Sequence, residues 1–302
     1  MIYTCTLNPS VDYIVHMDEL RVGELNRALK TLIFPGGKGI NVSRVLKRLG
    51  VDSTALGFAG GFTGAFIESE LRNEGIACDF VHVPGPTRIN VKLKAGLETE
   101  INGQGPVIAS EEARRLIAKI AALSAGDVLV LAGSAPPSLP VEAYEQLAAE
   151  AAKRQVRLVI DTSGPALRTL LAYQPFLVKP NHHELAELFG VSALTKEEVV
   201  IYGRRLAEMG RHVIVSMGGA GAFYFGEEAE LFAEAPEGTV RNSVGAGDSM
   251  VAGFLAAHAS GKSIEEVFAY SVAAGSATAF SEDLCTKEEV ETLVGRVRVA
   301  RL

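Results

Sequence analysis

Short apolar runs alternate with longer amphipathic stretches along most of this chain. The runs Ile2–Leu7, Val128–Ala132, Leu158–Asp161, Phe176–Lys179 and Val213–Met217 are rich in Val, Ile and Leu and predict strands. Helix-like stretches fall at Glu111–Leu123, Pro140–Arg154, Pro165–Ala172, His183–Phe189 and Lys196–Met209. This alternation predicts an α/β chain with a doubly wound, mostly parallel sheet flanked by helices. In Val128–Ala132 the apolar positions are unbroken, as in a strand buried on both faces.

Two regions break the pattern. Residues 11–34 and 81–97 contain alternating segments, clearest in Arg88–Lys94. There Ile89, Val91 and Leu93 fall on one face, and Arg88, Asn90, Lys92 and Lys94 on the other. These regions predict a small antiparallel flap beside the main sheet, able to cover a ligand, pair with another subunit, or both. No internal repeat, low-complexity tract or long linker interrupts the chain, so it reads as one domain, 1–302, with a small β-sheet lid.

Composition narrows the class. A chain of 302 residues, 48% hydrophobic and 22% charged, has ample material for a core. A net charge of -7 argues against a nucleic-acid-binding surface. No apolar run approaches the roughly 20 residues of a membrane helix. Asn8, Asp12 and Asp18 interrupt any apolar leader, and Cys5, Cys78 and Cys285 are too scattered for a disulfide framework. A cytoplasmic protein with neither nucleic acid nor membrane as partner is expected.

Polar residues recur where the predicted parallel strands end, the edge at which such sheets collect ligands. They are Asn8 and Asp12, Gly133-Ser134, Asp161-Thr162-Ser163-Gly164, Lys179-Pro180-Asn181, and Ser216 through Gly221. Asn242–Met250 is the most informative stretch, with Gly245 and Gly247 before Asp248 and an Ala-rich helical segment after it. A glycine loop feeding a helix N-terminus suits an anion. Asp248 is then either an N-cap or a proton acceptor in phosphoryl transfer. Gly36-Gly37-Lys38-Gly39 forms a second glycine cradle before a helix that carries Asn41.

Several signatures are missing. Gly261-Lys262-Ser263 has Ala256 where a Walker A loop needs Gly, and every Gly-x-Gly pair lacks the third glycine of a dinucleotide fingerprint. His182, His183, Glu184 and Glu187 do not make a zinc pattern. Glu184 better suits a hydrated Mg²⁺ reached through water.

Together these motifs resemble the phosphofructokinase B branch of the ribokinase-like sugar kinases, over nearly the whole length. The likeness rests on Thr6–Asp12, Gly36–Val42, Thr87–Leu93, Lys179-Pro180-Asn181 with Glu184, Ser216–Gly221 and Val244–Ser249. It implies a ribokinase-like fold and ATP as co-substrate, with Asp248 as general base. Gly245, Ala246 and Gly247 would form an anion hole. Lys179, Asn181, Ser216, Met217, Gly218, Gly219, Ala220 and Gly221 would bind the nucleotide with Gly247 and Asp248, and Glu184 would organise Mg²⁺. Asp12, Gly36, Gly37, Lys38, Asn41, Arg88, Asn90 and Ser134 would hold the acceptor beside Asp248. The implied acceptor is fructose 1-phosphate, phosphorylated at its C6 hydroxyl, with tagatose 6-phosphate the nearest competitor. A regulator that binds without catalysis is the alternative of a different class. The likeness also implies a homodimer through the lid, and leaves open a monovalent-cation site near Asn242–Gly245.

Overall fold

The structure, a computed structural model, describes residues 1–140 and 142–302. Among the described residues the larger sheet has eleven strands. Seven run parallel in the order Ala77–Cys78, Ser53–Gly60, Ile2–Thr6, Val128–Ala132, Arg157–Asp161, Leu177–Val178 and His212–Ser216. Ala222–Gly226, Glu230–Ala233 and Val299–Arg301 continue it antiparallel. Val128 and Val130 enter one core layer, with the helices Lys38–Arg48, Ala246–Ala259 and Ile264–Phe280. Leu129 and Leu131 enter the other, with Ser110–Ala121 and Ala143–Lys153. The unbroken apolar run is thus a strand serving two layers, because alternate side chains point to opposite faces.

The predicted helix Pro140–Arg154 is observed as Ala143–Lys153, with Val141 outside the described residues. Among the described residues no helix is long and apolar enough to cross a membrane.

A separate four-stranded sheet, counted among the described residues, has the order Lys30–Gly36, Ser10–His16, Arg88–Ala95 and Leu97–Asn102. Its central pairing, Ser10–His16 with Arg88–Ala95, is parallel, so the flap is mixed where an antiparallel one was expected. Of the second expected segment, Val81–Val83 pairs instead with Ser53–Gly60 of the main sheet, while the flap extends beyond residue 97. Asp12, Phe34, Asn90 and Asn102 share one cross-strand row, and Tyr13, Ile33, Val91 and Ile101 the next. Asp12 and Asn90 are buried beside the main body, whereas Ile33 and Ile101 are exposed.

Candidate active site

The strand ends Thr6, Ala132 and Asp161 are in register, so the residues just beyond each strand gather at one edge. There a polar cleft of about 500 Å³ is bordered by Asp12, Gly37, Lys38, Asn41, Arg88, Asn90 and Ser134. Lys179, Asn181, Glu184, Ser216, Gly245, Gly247 and Asp248 complete the predicted residues on its wall. A second cavity of about 670 Å³ shares Asn181, Ser216 and Gly247 with the first. Gly218, Gly219 and Gly221 line it on one side, and Pro236, Val240 and Phe280 give it an apolar wall.

The helix Ala246–Ala259 begins where the cavities meet. Its N-cap, Gly245, has φ 79°, and a Cβ there would lie 2.5 Å from Leu284 Cδ2. At Gly247 a Cβ would lie 2.9 Å from Lys179 Nζ, so the missing side chain makes room for an ammonium against the helix end. The first-turn N–H groups and a buried cation therefore face the same point.

Asp248, in that first turn, is 6% exposed and accepts a hydrogen bond from Asn41 Nδ2 at 2.8 Å. Burial pushes its carboxyl up to about 6, and the Asp161 charge adds to the rise against the pull of Lys38, Asn41 and Lys179. A base of this strength retains its proton affinity near neutral pH while being largely ionised there.

Asp161 is the important residue absent from the expected site. Its Oδ1 accepts from Lys38 Nζ at 2.9 Å, and its Oδ2 lies 3.4 Å from Lys179 Nζ. Burial opposes its charge, yet Lys179 and Lys38 hold it below the usual carboxylate range. Burial likewise opposes the Lys38 ammonium, which Asp161, Asp248 and Glu184 keep above the ordinary lysine range. The sequence marks Asp161 only as one of several polar residues at the ligand-collecting strand ends, with no role of its own. Two lysines from different elements converge on it.

On the flap side, the Asp12 carboxylate accepts from Ser10 Oγ at 2.7 Å and Asn90 Nδ2 at 3.3 Å, and pairs with Lys92 Nζ at 3.2 Å. A Cβ at Gly36 would lie 2.5 Å from Asp12 Cγ. Gly36 thus makes room for Asp12 and does not itself border the cleft. Two other expected residues border neither cavity: Met217 packs on the core, and Ala220 is exposed on its 3-10 turn. Conversely, His182 and His183, which make no zinc pattern in the sequence, line the second cavity.

Glu184 caps its helix reciprocally with Asn181: Glu184 Oε2 accepts from the Asn181 N–H at 2.8 Å, and Asn181 Oδ1 accepts from the Glu184 N–H at 2.9 Å. Its Oε1 is 3.9 Å from Lys38 Nζ. Among the described residues no group of three or more His, Cys, Asp or Glu side chains is placed to hold a metal ion. Asp161 Oδ2, buried without a completed hydrogen bond, and Glu184 offer carboxylate oxygen only. That donor set fits Mg²⁺ that arrives on phosphates and keeps water, and does not fit a caged transition metal.

The model of the "pfkB family carbohydrate kinase" matches residues 6–290. This chain belongs to that family. A 1-phosphofructokinase of Bacillus subtilis (strain 168) is 54% identical over 303 residues, covering 100% of both chains. A D-tagatose-1-phosphate kinase of Bacillus licheniformis is 41% identical, again over 100% of each. The crystal structure of phosphofructokinase-2 from Escherichia coli in complex with substrates and products superposes with a TM-score of 0.93. It is 32% identical, with 97% of this chain and 98% of that one covered. The family's ribokinase-like fold and its chemistry, ATP-dependent phosphorylation of a sugar, are those of this chain.

Proposed function

We propose that this protein transfers the γ-phosphoryl group of ATP to the C6 hydroxyl of fructose 1-phosphate, giving fructose 1,6-bisphosphate. The observation that carries the reading is the position of Asp248, a buried carboxylate at a helix N-terminus between a polar cleft and a partly apolar cavity. The acceptor occupies the polar cleft, with Asp12, Asn41 and Asn90 on its hydroxyls and Lys38, Arg88 and Ser134 defining its phosphate. The nucleotide occupies the other cavity, its base on the Val240–Phe280 side and its phosphates near Lys179, Asn181 and Ser216.

Asp248 takes the proton of the attacking hydroxyl as the O–P bond forms, and ADP leaves with the electron pair of the bond that breaks. The N–H groups of Gly245, Ala246 and Gly247 hold the charge on the transferring group. Mg²⁺, when bound, neutralises charge on the ATP phosphates, and Glu184 with Asp161 faces the region where its waters would lie. A protein that only bound these ligands would not need a buried carboxylate beside a phosphate site.

Steady-state turnover on fructose 1-phosphate, D-tagatose 1-phosphate, tagatose 6-phosphate, fructose 6-phosphate and ribose tests the reading. The highest kcat/KM is expected on fructose 1-phosphate, and a marked preference for another acceptor would overturn the choice. D-Tagatose 1-phosphate is the second reading, because the relative named for it is alike over its whole length.

The outward row Tyr13, Ile33, Val91 and Ile101 supports a homodimer joined through the flap, since Ile33 and Ile101 are 46% and 59% exposed. Light scattering of the purified protein should give twice the chain mass; a monomer at assay concentration would remove this part of the account.

A further inference from the structure

Asn8 lies just past the strand Ile2–Thr6, at the wall of the polar cleft, and is only 5% exposed. Its Nδ2 donates to the Gln104 carbonyl at 3.2 Å, and the Asn8 backbone carbonyl accepts from Arg88 Nε at 3.2 Å. Arg88 Nη1 donates in turn to the Gly103 carbonyl at 3.3 Å. These three bonds close a ring that runs from the strand end to residues 103–104, on to Arg88, and back to Asn8. Gly105, at φ 92°, stands so near that a Cβ there would lie 2.3 Å from Asn8 Oδ1. That oxygen is buried and has no hydrogen-bond partner among the described residues. The amide is therefore incompletely satisfied by the fold, and its visible task is to hold the segment 103–105.

Both hydrogen bonds that steady Arg88 end on backbone carbonyls. Asp12, the carboxylate whose charge reaches the guanidinium, is already paired with Lys92. A guanidinium placed this way keeps donors of its planar fork for an oxyanion, and a fork binds well only when it is aimed.

We propose that Asn8 is a positioning residue for the acceptor's phosphate group. By fastening residues 103–105 it aims Arg88 into the cleft, and so sets the preference for a phosphorylated over an unphosphorylated sugar. The inference rests on the reading of the acceptor as a sugar phosphate. It concerns a residue that never touches the reacting atoms, so its signature is a KM effect that passes through Arg88.

A double-mutant cycle tests it, with kcat and KM measured for wild type, Asn8→Ala, Arg88→Met and the double variant on fructose 1-phosphate, on fructose, and for ATP. Asn8→Ala is expected to raise KM for fructose 1-phosphate by about tenfold, the factor that corresponds to about 1.4 kcal/mol. Its kcat and its KM for ATP stay within about twofold, as does kcat/KM on fructose, because those quantities do not depend on Arg88. In the Arg88→Met background the same change should add less than about threefold. Equal losses on both sugars, or an undiminished factor in the Arg88→Met background, would show that Asn8 does not act through Arg88. Gly105→Ala presses on the same clamp from its other side and should raise the same KM; an unchanged KM there would also overturn the proposal. If Asn8→Ala does not fold, Gly105→Ala with Arg88→Met provides the cycle. A wild type active on fructose but on no sugar phosphate would refute the acceptor reading itself, and this is seen before any variant is compared.

Discussion

Replacing Asn41 by Leu removes the amide that donates to Asp248 Oδ2 at 2.8 Å while nearly keeping its shape. The amide favours the ionised carboxylate, so its loss raises the pKa of the base and moves the acid limb of the kcat/KM profile to higher pH. A hydrogen bond to a charged group contributes about 1.5–3 kcal/mol, part of which survives when the carboxyl is protonated. The differential part corresponds to a rise of roughly one pH unit. With the wild-type base at about 6, half of it is ionised at pH 6, and roughly a tenth in the variant. That predicts about a fivefold extra loss at pH 6 that fades above pH 8. Any lost sugar contact lowers the whole profile and leaves the limb in place. The assay is ADP release across pH 5–9 at subsaturating acceptor. A limb that stays where it is, or moves to lower pH, would refute the claim that Asn41 tunes the base.

The same geometry makes three further outcomes expected. Asp248→Asn should be more stable than wild type at pH 7.5 by about 1–3 kcal/mol, since the folded carboxyl at about 6 is above its unfolded value and its ionisation opposes folding. The advantage should shrink as pH falls through 6 toward 4, which thermal melts across that range would show. Gly247→Ala places a methyl 2.9 Å from Lys179 Nζ and should lower kcat at least tenfold with little change in melting temperature; unaltered turnover would mean that the ammonium is not needed there. His212, buried and lowered to about 4 by burial and by the charges of His258 and Arg211, hydrogen-bonds through Nδ1 to Tyr224 OH at 2.7 Å. Its contribution is present above the unfolded value near 6.5 and is lost as pH falls toward 4, by up to about 3 kcal/mol. His212→Gln should flatten that part of the stability profile in denaturant titrations.

Much of the scaffold is legible in the sequence because its signals are local. Val128–Ala132 reads as a buried strand with the bounds it has, since five consecutive apolar residues leave no other face to choose. Leu97–Asn102 carries no such signal because all six residues are exposed; only pairing with Arg88–Ala95 makes it a strand. Most of the expected site residues border one of the two cavities, because parallel strands in register bring the residues beyond them to one edge. Asp161 is readable as a polar strand-end residue and no further. Its meaning lies in Lys38, 123 positions away, and in Lys179, at the end of the neighbouring strand. Gly36 and Gly247 look like cradles for a ligand, and both also make room for a charged side chain of the protein itself, Asp12 or Lys179.

In the proposed reaction Asp248 takes the proton from the acceptor hydroxyl. Turnover of Asp248→Asn on the preferred sugar phosphate, measured beside its ATP affinity by titration calorimetry, tests it most directly. Loss of proton transfer predicts a fall in kcat of about 10²–10⁴, with the Kd for ATP within about threefold of wild type. Near-normal kcat in a variant that binds ATP would contradict the account.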